Sequence, residues 1–297
     1  MTLSSPADEF RDHLCDLCEA NDPVELPHCR EYTGGQPVHV CRRCGFVYVI
    51  RRRSAQRIAQ VWSQEIFGAG YTAAIPAVTA RLTYVAEFLK LHVDLRGKRV
   101  CEIGAGEGGF LELVRNQRYG AEPYGIEPSP QNGTRLNKLG IPHFTGTVEE
   151  FADRAQSRER PFDVVAILWT LENCQDCRRM LTLARAMLKP GGQVVVATGS
   201  RILVPFKKPL HTYLGQNPVD THAFRFSANT VRAVLAVSGF VPSHINRFID
   251  HDILCVIGDR AEDGRTATWN GDNYLDVYSF FERWHVDTAM YFPDRAI

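Results

Sequence analysis

The segment Val100-Cys101-Glu102-Ile103-Gly104-Ala105-Gly106-Glu107-Gly108-Gly109-Phe110 has the residue types and spacing of a ligand cradle. A strand that runs into alternate glycines and then a helix lets the backbone approach a ligand closely, and the helix start offers unpaired N–H groups. Gly104, Gly106 and Gly109 also fit the dinucleotide spacing Gly-x-Gly-x-x-Gly, so the glycines alone leave two cofactor classes open. The carboxylates separate them. Glu102, at the strand end, repels a pyrophosphate and attracts an ammonium, which favours a zwitterionic ligand. Glu127 closes the next strand in Tyr124-Gly125-Ile126-Glu127-Pro128 and is placed to accept hydrogen bonds from two ribose hydroxyls, a role both classes share.

A second group is built on sulfur. Of nine cysteines, Cys15, Cys18, Cys29, Cys41 and Cys44 fall within thirty residues. Cys15-Asp16-Leu17-Cys18 and Cys41-Arg42-Arg43-Cys44-Gly45 form two knuckles with 22 residues between them. The odd total, the C-x-x-C spacing and the lack of a secretion signal point to thiolates on a metal, not to disulfides. Four sulfurs make a closed tetrahedral zinc site with no open position, hence a structural one. Gly45 gives the second knuckle backbone freedom, whereas Glu19 follows the first; Cys29, His28 and His39 are the alternative ligands. Around the pairs, Pro23, Pro27, Gly34, Gly35 and Pro37 leave little apolar area to bury, so a metal would stand in for the missing core. Cys174-Gln175-Asp176-Cys177 is a third pair, alone at a helix start, and reads as accidental.

These groups need elements to hold them. Residues 1–57 read as the zinc-binding module, a small zinc-ribbon-like unit. Ser54 caps a helix through Ile58, Val61, Trp62 and Ile66, stopped by Gly68-Ala69-Gly70, and Leu82, Val85, Phe88 and Leu89 follow helical spacing, giving a helical connector over 58–95. From Gly97 the pattern alternates. Strands are expected at Lys98–Ile103, Pro123–Glu127, Phe162–Trp169 and Gln193–Thr198, with helices at Gly108–Gln117, Pro130–Lys138 and Cys177–Leu188 between them. That is an α/β fold, a parallel sheet with helices on both faces, over residues 96–260. Lys189-Pro190-Gly191-Gly192 stops the third helix, Ser227 caps a helix to Ser238, and His244–Ile249 with Asp252–Ile257 read as strands around a tight turn. A C-terminal helical tail, 261–297, carries an amphipathic helix from Tyr274 to His285.

With Phe162-Asp163-Val164-Val165 and Leu188-Lys189-Pro190-Gly191-Gly192 added to the glycine loop and Glu127, roughly residues 97 to 258 resemble the class I S-adenosylmethionine-dependent methyltransferases, whose sheet is Rossmann-like. The resemblance implies that Glu102, Gly104, Ala105, Gly106 and Gly108 flank the methionine part of S-adenosylmethionine. It also implies that Glu127 and Pro128 serve the ribose and that Thr147, Val148 and Glu149 lie by the adenine. The zinc module, the Gly45-Phe46-Val47 tail and a Ser227-containing motif are similar to the sugar C-methyltransferases, which act on nucleotide-linked keto sugars. Those run about a hundred residues longer, with a second Rossmann-like domain for which this chain has no room.

Methyl transfer is an in-line displacement, so an enzyme chiefly aligns the nucleophile and removes its proton. Trp169-Thr170-Leu171-Glu172-Asn173 follows a strand where class I methyltransferases present residues to the methyl group, which makes Glu172 and Asn173 catalytic candidates and Trp169 a cofactor-binding one; Asn173 could equally cap the next helix. In Val219-Asp220-Thr221-His222-Ala223-Phe224-Arg225-Phe226-Ser227, the residues His222, Phe226 and Ser227 keep the sugar C-methyltransferase pattern Tyr-His-Glu-His-x-x-Tyr-Phe-Ser. Thr221 stands where its Glu would be, which weakens carbon methylation, yet a single His can deprotonate a hydroxyl near neutral pH. Arg51-Arg52-Arg53 with Arg57 is either a solvated face or a diphosphate contact. His211-Thr212-Tyr213 lies in a loop able to cover the site.

Composition sets the outer bounds. The chain has 297 residues, 44% hydrophobic and 23% charged, and its 34 basic and 34 acidic residues give zero net charge. A folded globular protein follows. No general positive field exists to draw in nucleic acid, which disfavours the RNA-methyltransferase alternative. The start, Met1-Thr2-Leu3-Ser4-Ser5-Pro6, lacks a signal pattern, and the densest apolar run, Phe162 to Leu171, is too short to span a bilayer, so a cytoplasmic protein without a membrane partner is expected. The reading is a zinc-stabilised methyltransferase acting on a small molecule, a sugar or sugar-linked metabolite. Its rival outside enzymes is a module that binds the cofactor and recruits a protein without turnover.

Overall fold

Val164, Ala166 and Leu168 alternate with Val165 and Ile167 along one strand, and all five side chains are buried. A strand apolar on both faces needs cover on both. The computed structural model supplies that cover; it describes residues 10–66, 75–154, 160–206, 208–215, 217, 219–264 and 268–291. The expected helix stop at Gly68-Ala69-Gly70 and the segment before Phe10 lie outside the described residues.

The cysteine-rich part contains β1 (Phe10–Asp12), β2 (Pro23–Glu25), α1 (Cys29–Tyr32), β3 (His39–Cys41), β4 (Val47–Tyr48) and β5 (Arg51–Arg53). Then come α2 (Ala55–Gln60), capped by Ser54 and continued by a π-helical turn Val61–Ile66, and α3 (Ile75–His92). The alternating part runs β6 (Arg99–Ile103), α4 (Gly109–Arg115), β7 (Glu122–Glu127), α5 (Pro130–Lys138), β8 (His143–Thr145), α6 (Val148–Ala152), β9 (Phe162–Leu168), α7 (Cys177–Met187) and β10 (Leu188–Thr198). It is completed by α8 (Leu210–Gly215), β11 (Phe224–Arg225), α9 (Ala228–Val237), β12 (Phe240–Ile245), β13 (Leu254–Arg260) and α10 (Tyr274–Thr288).

Seven strands form the main sheet in the order β12-β13-β10-β9-β6-β7-β8. The five from β6 to β10 are parallel; β13 runs antiparallel to β10, and β12 to β13. This is a Rossmann-like arrangement, a parallel sheet with an antiparallel hairpin at one edge. The chain builds outward from β6 to β8, then returns to place β9 on the other side of β6, which leaves a switch point at their carboxyl ends. Period-2 alternation splits the core. Val164, Ala166, Val195 and Ala197 face Val85, Leu89, Phe110 and Leu111 on one side, while Val165, Ile167, Val194 and Val196 face Leu181 and Val234 on the other. Each fully buried Val, Leu, Ile or Phe among them stabilises the fold by about 1.5–3 kcal/mol.

That second core layer continues into the cysteine-rich part, taking in Leu17, Val40, Phe46 and Tyr48. β11 pairs with β4, so that β11-β4-β3-β2 form one four-stranded sheet. Phe46 lies against the rings of Phe224 and Phe226 at 5.8 and 5.7 Å between centroids. Arg52, fully buried, makes a bidentate pair with Asp16 at 3.0 and 2.9 Å, donates to the Gln175 carbonyl and lies over the Phe224 ring. From the far end, the Asp272 N–H donates to the Cys44 carbonyl, and Gly45 keeps φ +67 where a Cβ would reach 2.5 Å from the Asp272 carbonyl. Among the described residues, no helix is long and apolar enough to cross a membrane.

Two boundaries differ from expectation. Leu188, placed at the end of a helix by sequence, already pairs with Phe162 in β10, and the Pro-Gly-Gly stretch is absorbed as an irregularity before Gln193. The final hairpin is longer and its turn wider than the expected tight turn. Phe240 pairs with Arg260, and Asn246 closes the open end by accepting from the Cys255 N–H and donating to the Ile253 carbonyl, both at 2.7 Å.

Candidate active site

A cleft of about 1240 Å³ opens at the carboxyl ends of β6, β7, β9 and β10. Gly104 and Gly106 line its first half, at φ +74 and +53. A Cβ on Gly104 would strike the Thr170 side chain, whereas one on Gly106 would meet no protein atom within 4 Å and would take up open space. Gly108, expected beside the cofactor, does not line the cleft. At φ +84 it turns the chain into α4, and a Cβ there would fall 2.6 Å from Leu136, so its room is taken by α5.

Glu102 is buried, its Oε2 makes no hydrogen bond, and burial, then the nearby Glu127, hold its carboxyl well above the usual range. Glu127 is buried too, but Oε2 accepts from the Gly106 N–H at 2.7 Å and Oε1 from the Ser129 N–H at 2.9 Å. Burial pushes its carboxyl up against the pull of those donors. An orphaned carboxylate oxygen, a second acid ringed by donors and an open glycine cradle suit a ligand carrying an ammonium and adjacent hydroxyls. Ala105, Pro128, Thr147, Val148 and Glu149 line the same half, and Thr147 fixes the wall by a capping box with Glu150 at the start of α6.

The second half begins at Trp169, which takes a left-handed φ of +52 and lies under the Arg81 guanidinium at 4.2 Å. The turn brings Asn173 back: its Nδ2 donates to the Trp169 carbonyl at 2.7 Å, so its Oδ1 faces His222 Nδ1 at 2.6 Å. His222 Nε2 is in turn 2.6 Å from Ser200 Oγ. An amide whose N–H₂ is committed elsewhere can only accept from the imidazole, so Nδ1 carries the proton and Nε2 presents a lone pair. Burial foremost, then Arg225 and Lys208, hold His222 well below its ordinary value, so the ring is neutral. Arg225, fully buried, donates to the His222 carbonyl at 2.7 Å. Asn173 does not cap α7; Asp176 does. Glu172 is buried, and desolvation raises its carboxyl to about 7 against hydrogen bonds from Thr198 and Gly199.

The four knuckle sulfurs lie within 4.8 Å of one another, Cys15 to Cys44 and Cys18 to Cys41 at 3.5 Å. Glu19 takes φ +58 after the first pair just as Gly45 does after the second, so both knuckles share one turn. Four soft, convergent donors with no carboxylate among them suit tetrahedral zinc. Cys29 stands apart, its Sγ accepting from the Val38 N–H at 3.4 Å. Burial raises the Cys174 and Cys177 thiols well above their ordinary value, which is the opposite of a reactive pair. The arginine run meets neither expectation. Arg51 is exposed over Phe10, Arg52 is buried on Asp16, Arg53 pairs with Asp220, and none of the three lines the cleft.

Ser200, Arg201, Arg81 and Lys208 also line the cleft and were not singled out by sequence. The available signal was positional: Ser200 and Arg201 directly follow the carboxyl end of β10, where ligands of such sheets bind. Tyr213, from the expected covering loop, lies on α8 and does line the cleft.

Residues 78–245 match a family described as a methyltransferase domain. Among curated proteins, a ubiquinone biosynthesis O-methyltransferase from Rhizobium etli is 33% identical over 115 residues, 37% of this chain and 44% of that protein. One from Coxiella burnetii is 27% identical over 150 residues, 46% of this chain and 60% of that protein. The chain thus spans about half the length of the curated relatives it matches. Among solved structures, the Burkholderia thailandensis 1,6-didemethyltoxoflavin-N1-methyltransferase, with bound 1,6-didemethyltoxoflavin and S-adenosylhomocysteine, aligns with a TM-score of 0.51 at 14% identity over 73% of this chain and 96% of its own. An O-methyltransferase family protein from the same organism gives 0.50 at 18% over 68% and 64%. At these identities the likeness establishes the fold.

Proposed function

Since the chain belongs to this methyltransferase-domain family, we propose that it methylates a hydroxyl of a small-molecule acceptor from S-adenosylmethionine, with His222 as the base. When bound, that cofactor supplies an electrophilic methyl group. Glu102 and Gly104 to Gly106 would hold its amino-acid end, Glu127 and Pro128 its ribose, and Thr147 to Glu149 its adenine. The observation that carries the reading is the chain from Trp169 through Asn173 and His222 to Ser200. Asn173 holds the proton on Nδ1, and Nε2 takes one from the acceptor hydroxyl, either directly in place of Ser200 or through the Ser200 hydroxyl. A neutral, desolvated imidazole is ready to accept that proton as charge develops on it.

The finer reading of the acceptor is a sugar or nucleotide-linked sugar methylated on oxygen. Thr221, where the sugar C-methyltransferases carry an acid, is fully buried, which favours oxygen over carbon. A phenolic hydroxyl is the second reading, favoured by the rings of Trp62, Trp169, Phe206, Phe248 and Trp284 around the cleft. Cys15, Cys18, Cys41 and Cys44 would hold a structural zinc. Labelled S-adenosylmethionine offered with panels of nucleotide sugars, phenols and total RNA tests the reading. Label should enter a small molecule, and His222→Ala should lower turnover about a hundredfold while S-adenosylhomocysteine still binds by calorimetry. Label only in RNA, or turnover near wild type in the variant, would remove it.

A further inference from the structure

We propose that Arg201 forms an anion-binding subsite in the acceptor half of the cleft, for a phosphate or carboxylate borne by the molecule whose hydroxyl is methylated; this rests on the function proposed above. Arg201 lines the cleft although only 8% of it is exposed. Its Nη1 donates to the Ile253 carbonyl at 3.3 Å and its Nε has no partner. Among the described residues, no carboxylate oxygen lies within ion-pair distance of it. Burying a guanidinium without a counter-charge is costly, and this fold avoids that cost at Arg52, which meets Asp16 with both oxygens. Arg225 is buried in the same way, with one backbone carbonyl as acceptor and Nε and Nη2 unpartnered, but it does not line the cleft, so only Arg201 is placed to meet a ligand.

The surroundings agree with an anion. The guanidinium lies 5.4 Å from the Phe248 ring centroid, a contact that orients its planar fork, and Lys208 lines the same half of the cleft. Asp252 is close by, but its Oδ1 is 2.8 Å from His251 Nδ1. With Nη1 on the Ile253 carbonyl, the edge that carries the unpartnered Nε is left to meet the oxygens of a phosphate or carboxylate. Position also matters: Arg201 is the chain neighbour of Ser200, whose hydroxyl touches the His222 lone pair. Arg201, Ser200 and His222 line one cleft, so an anion on Arg201 holds the rest of a small molecule in the cleft that contains the base.

Trp62, Trp169 and Trp284 line the cleft, so intrinsic fluorescence reports binding there. The full chain, with S-adenosylhomocysteine present, is titrated with methyl phosphate and with acetate. Saturable binding of at least one anion is expected, weakened tenfold or more in Arg201→Gln and partly recovered in Arg201→Lys. Tighter methyl phosphate assigns a phosphoryl group, and tighter acetate a carboxylate. No saturable binding of either anion, or equal affinity in wild type and Arg201→Gln, overturns the proposal. If Arg201→Gln melts below the assay temperature, Arg201→Lys decides: affinity equal to wild type overturns the subsite, and weaker binding supports it. Calorimetry with S-adenosylhomocysteine separates the two levels, since its failure to bind wild type removes the methyltransferase reading while the anion titration still reports on Arg201.

Discussion

His222 is held at both nitrogens, and the two contacts do different work. The Asn173 amide decides which nitrogen bears the proton, and Ser200 occupies the lone pair that a substrate hydroxyl would use. Asn173→Leu should therefore lower turnover about 10- to 100-fold with little change in acceptor KM, because the ring loses its tautomer and not its pocket. Steady-state kinetics that showed only a raised KM would contradict this. Glu172 yields a prediction about stability. Its carboxyl sits at about 7 in the folded chain through desolvation, above its ordinary 4.5. A raised carboxyl means that the native state binds more protons than the unfolded one between those values, so stability falls as pH rises from about 4.5 to about 7 and is level beyond. The loss is on the order of 3 kcal/mol. Glu172→Gln should flatten this part of the profile, so thermal melting at pH 5 and pH 8 should differ less in the variant than in wild type.

At the scale of elements, the loop between β6 and α4 holds two glycines of identical appearance in the sequence and opposite use. Gly106→Ala adds a methyl where no protein atom stands, so it should cost only the left-handed backbone strain, about 1–2 kcal/mol, yet weaken S-adenosylhomocysteine binding tenfold or more. Gly108→Ala drives a methyl into Leu136 and should lower the melting temperature further, whatever happens to ligand affinity. Calorimetry and thermal melting on both variants check the contrast. This pair also marks what could be read beforehand. Strand, glycine turn and helix are written locally, in hydrophobic runs and turn residues, so β6, α4, β7 and the carboxylates at the strand ends were legible. Which glycine faces a ligand depends on α5 packing from thirty residues away, and no local pattern encodes that. The same holds for Ser200 and Arg201, ordinary residues until β13 and the segment carrying His222 fold over them. The Pro-Gly-Gly beside Leu188 is a strong stop signal and predicts a helix that runs up to it; pairing of Leu188 with Phe162 overrides that signal.

Across the whole molecule, the cysteine-rich part and the methyltransferase domain share apolar core, one sheet and a buried ion pair. Arg52→Met leaves Asp16 buried, its carboxyl already raised to about 6 mainly by desolvation, so the variant should lose about 3–5 kcal/mol in denaturant unfolding. Cys44→Ser, or chelation of the zinc proposed for the knuckles, should lower turnover as well as melting temperature, because β11, two residues after His222, hydrogen-bonds to β4 of the knuckle sheet. A stable, fully active protein with one knuckle broken would refute that coupling. The sequence showed the knuckles clearly and hid their attachment, since Phe224 and Arg225 look like part of a substrate motif.

That attachment also orders events in time. Synthesis runs from the N-terminus, so both cysteine pairs leave the ribosome long before Phe224 and Arg225, which supply the fourth strand of their sheet. Until then β4 has an open edge and Phe46 lacks two of its ring partners. The nascent knuckles must wait for the greater part of the remaining chain, exposed to stray pairing and to oxidation of four neighbouring thiols. Early capture of a metal ion would shield them through that interval.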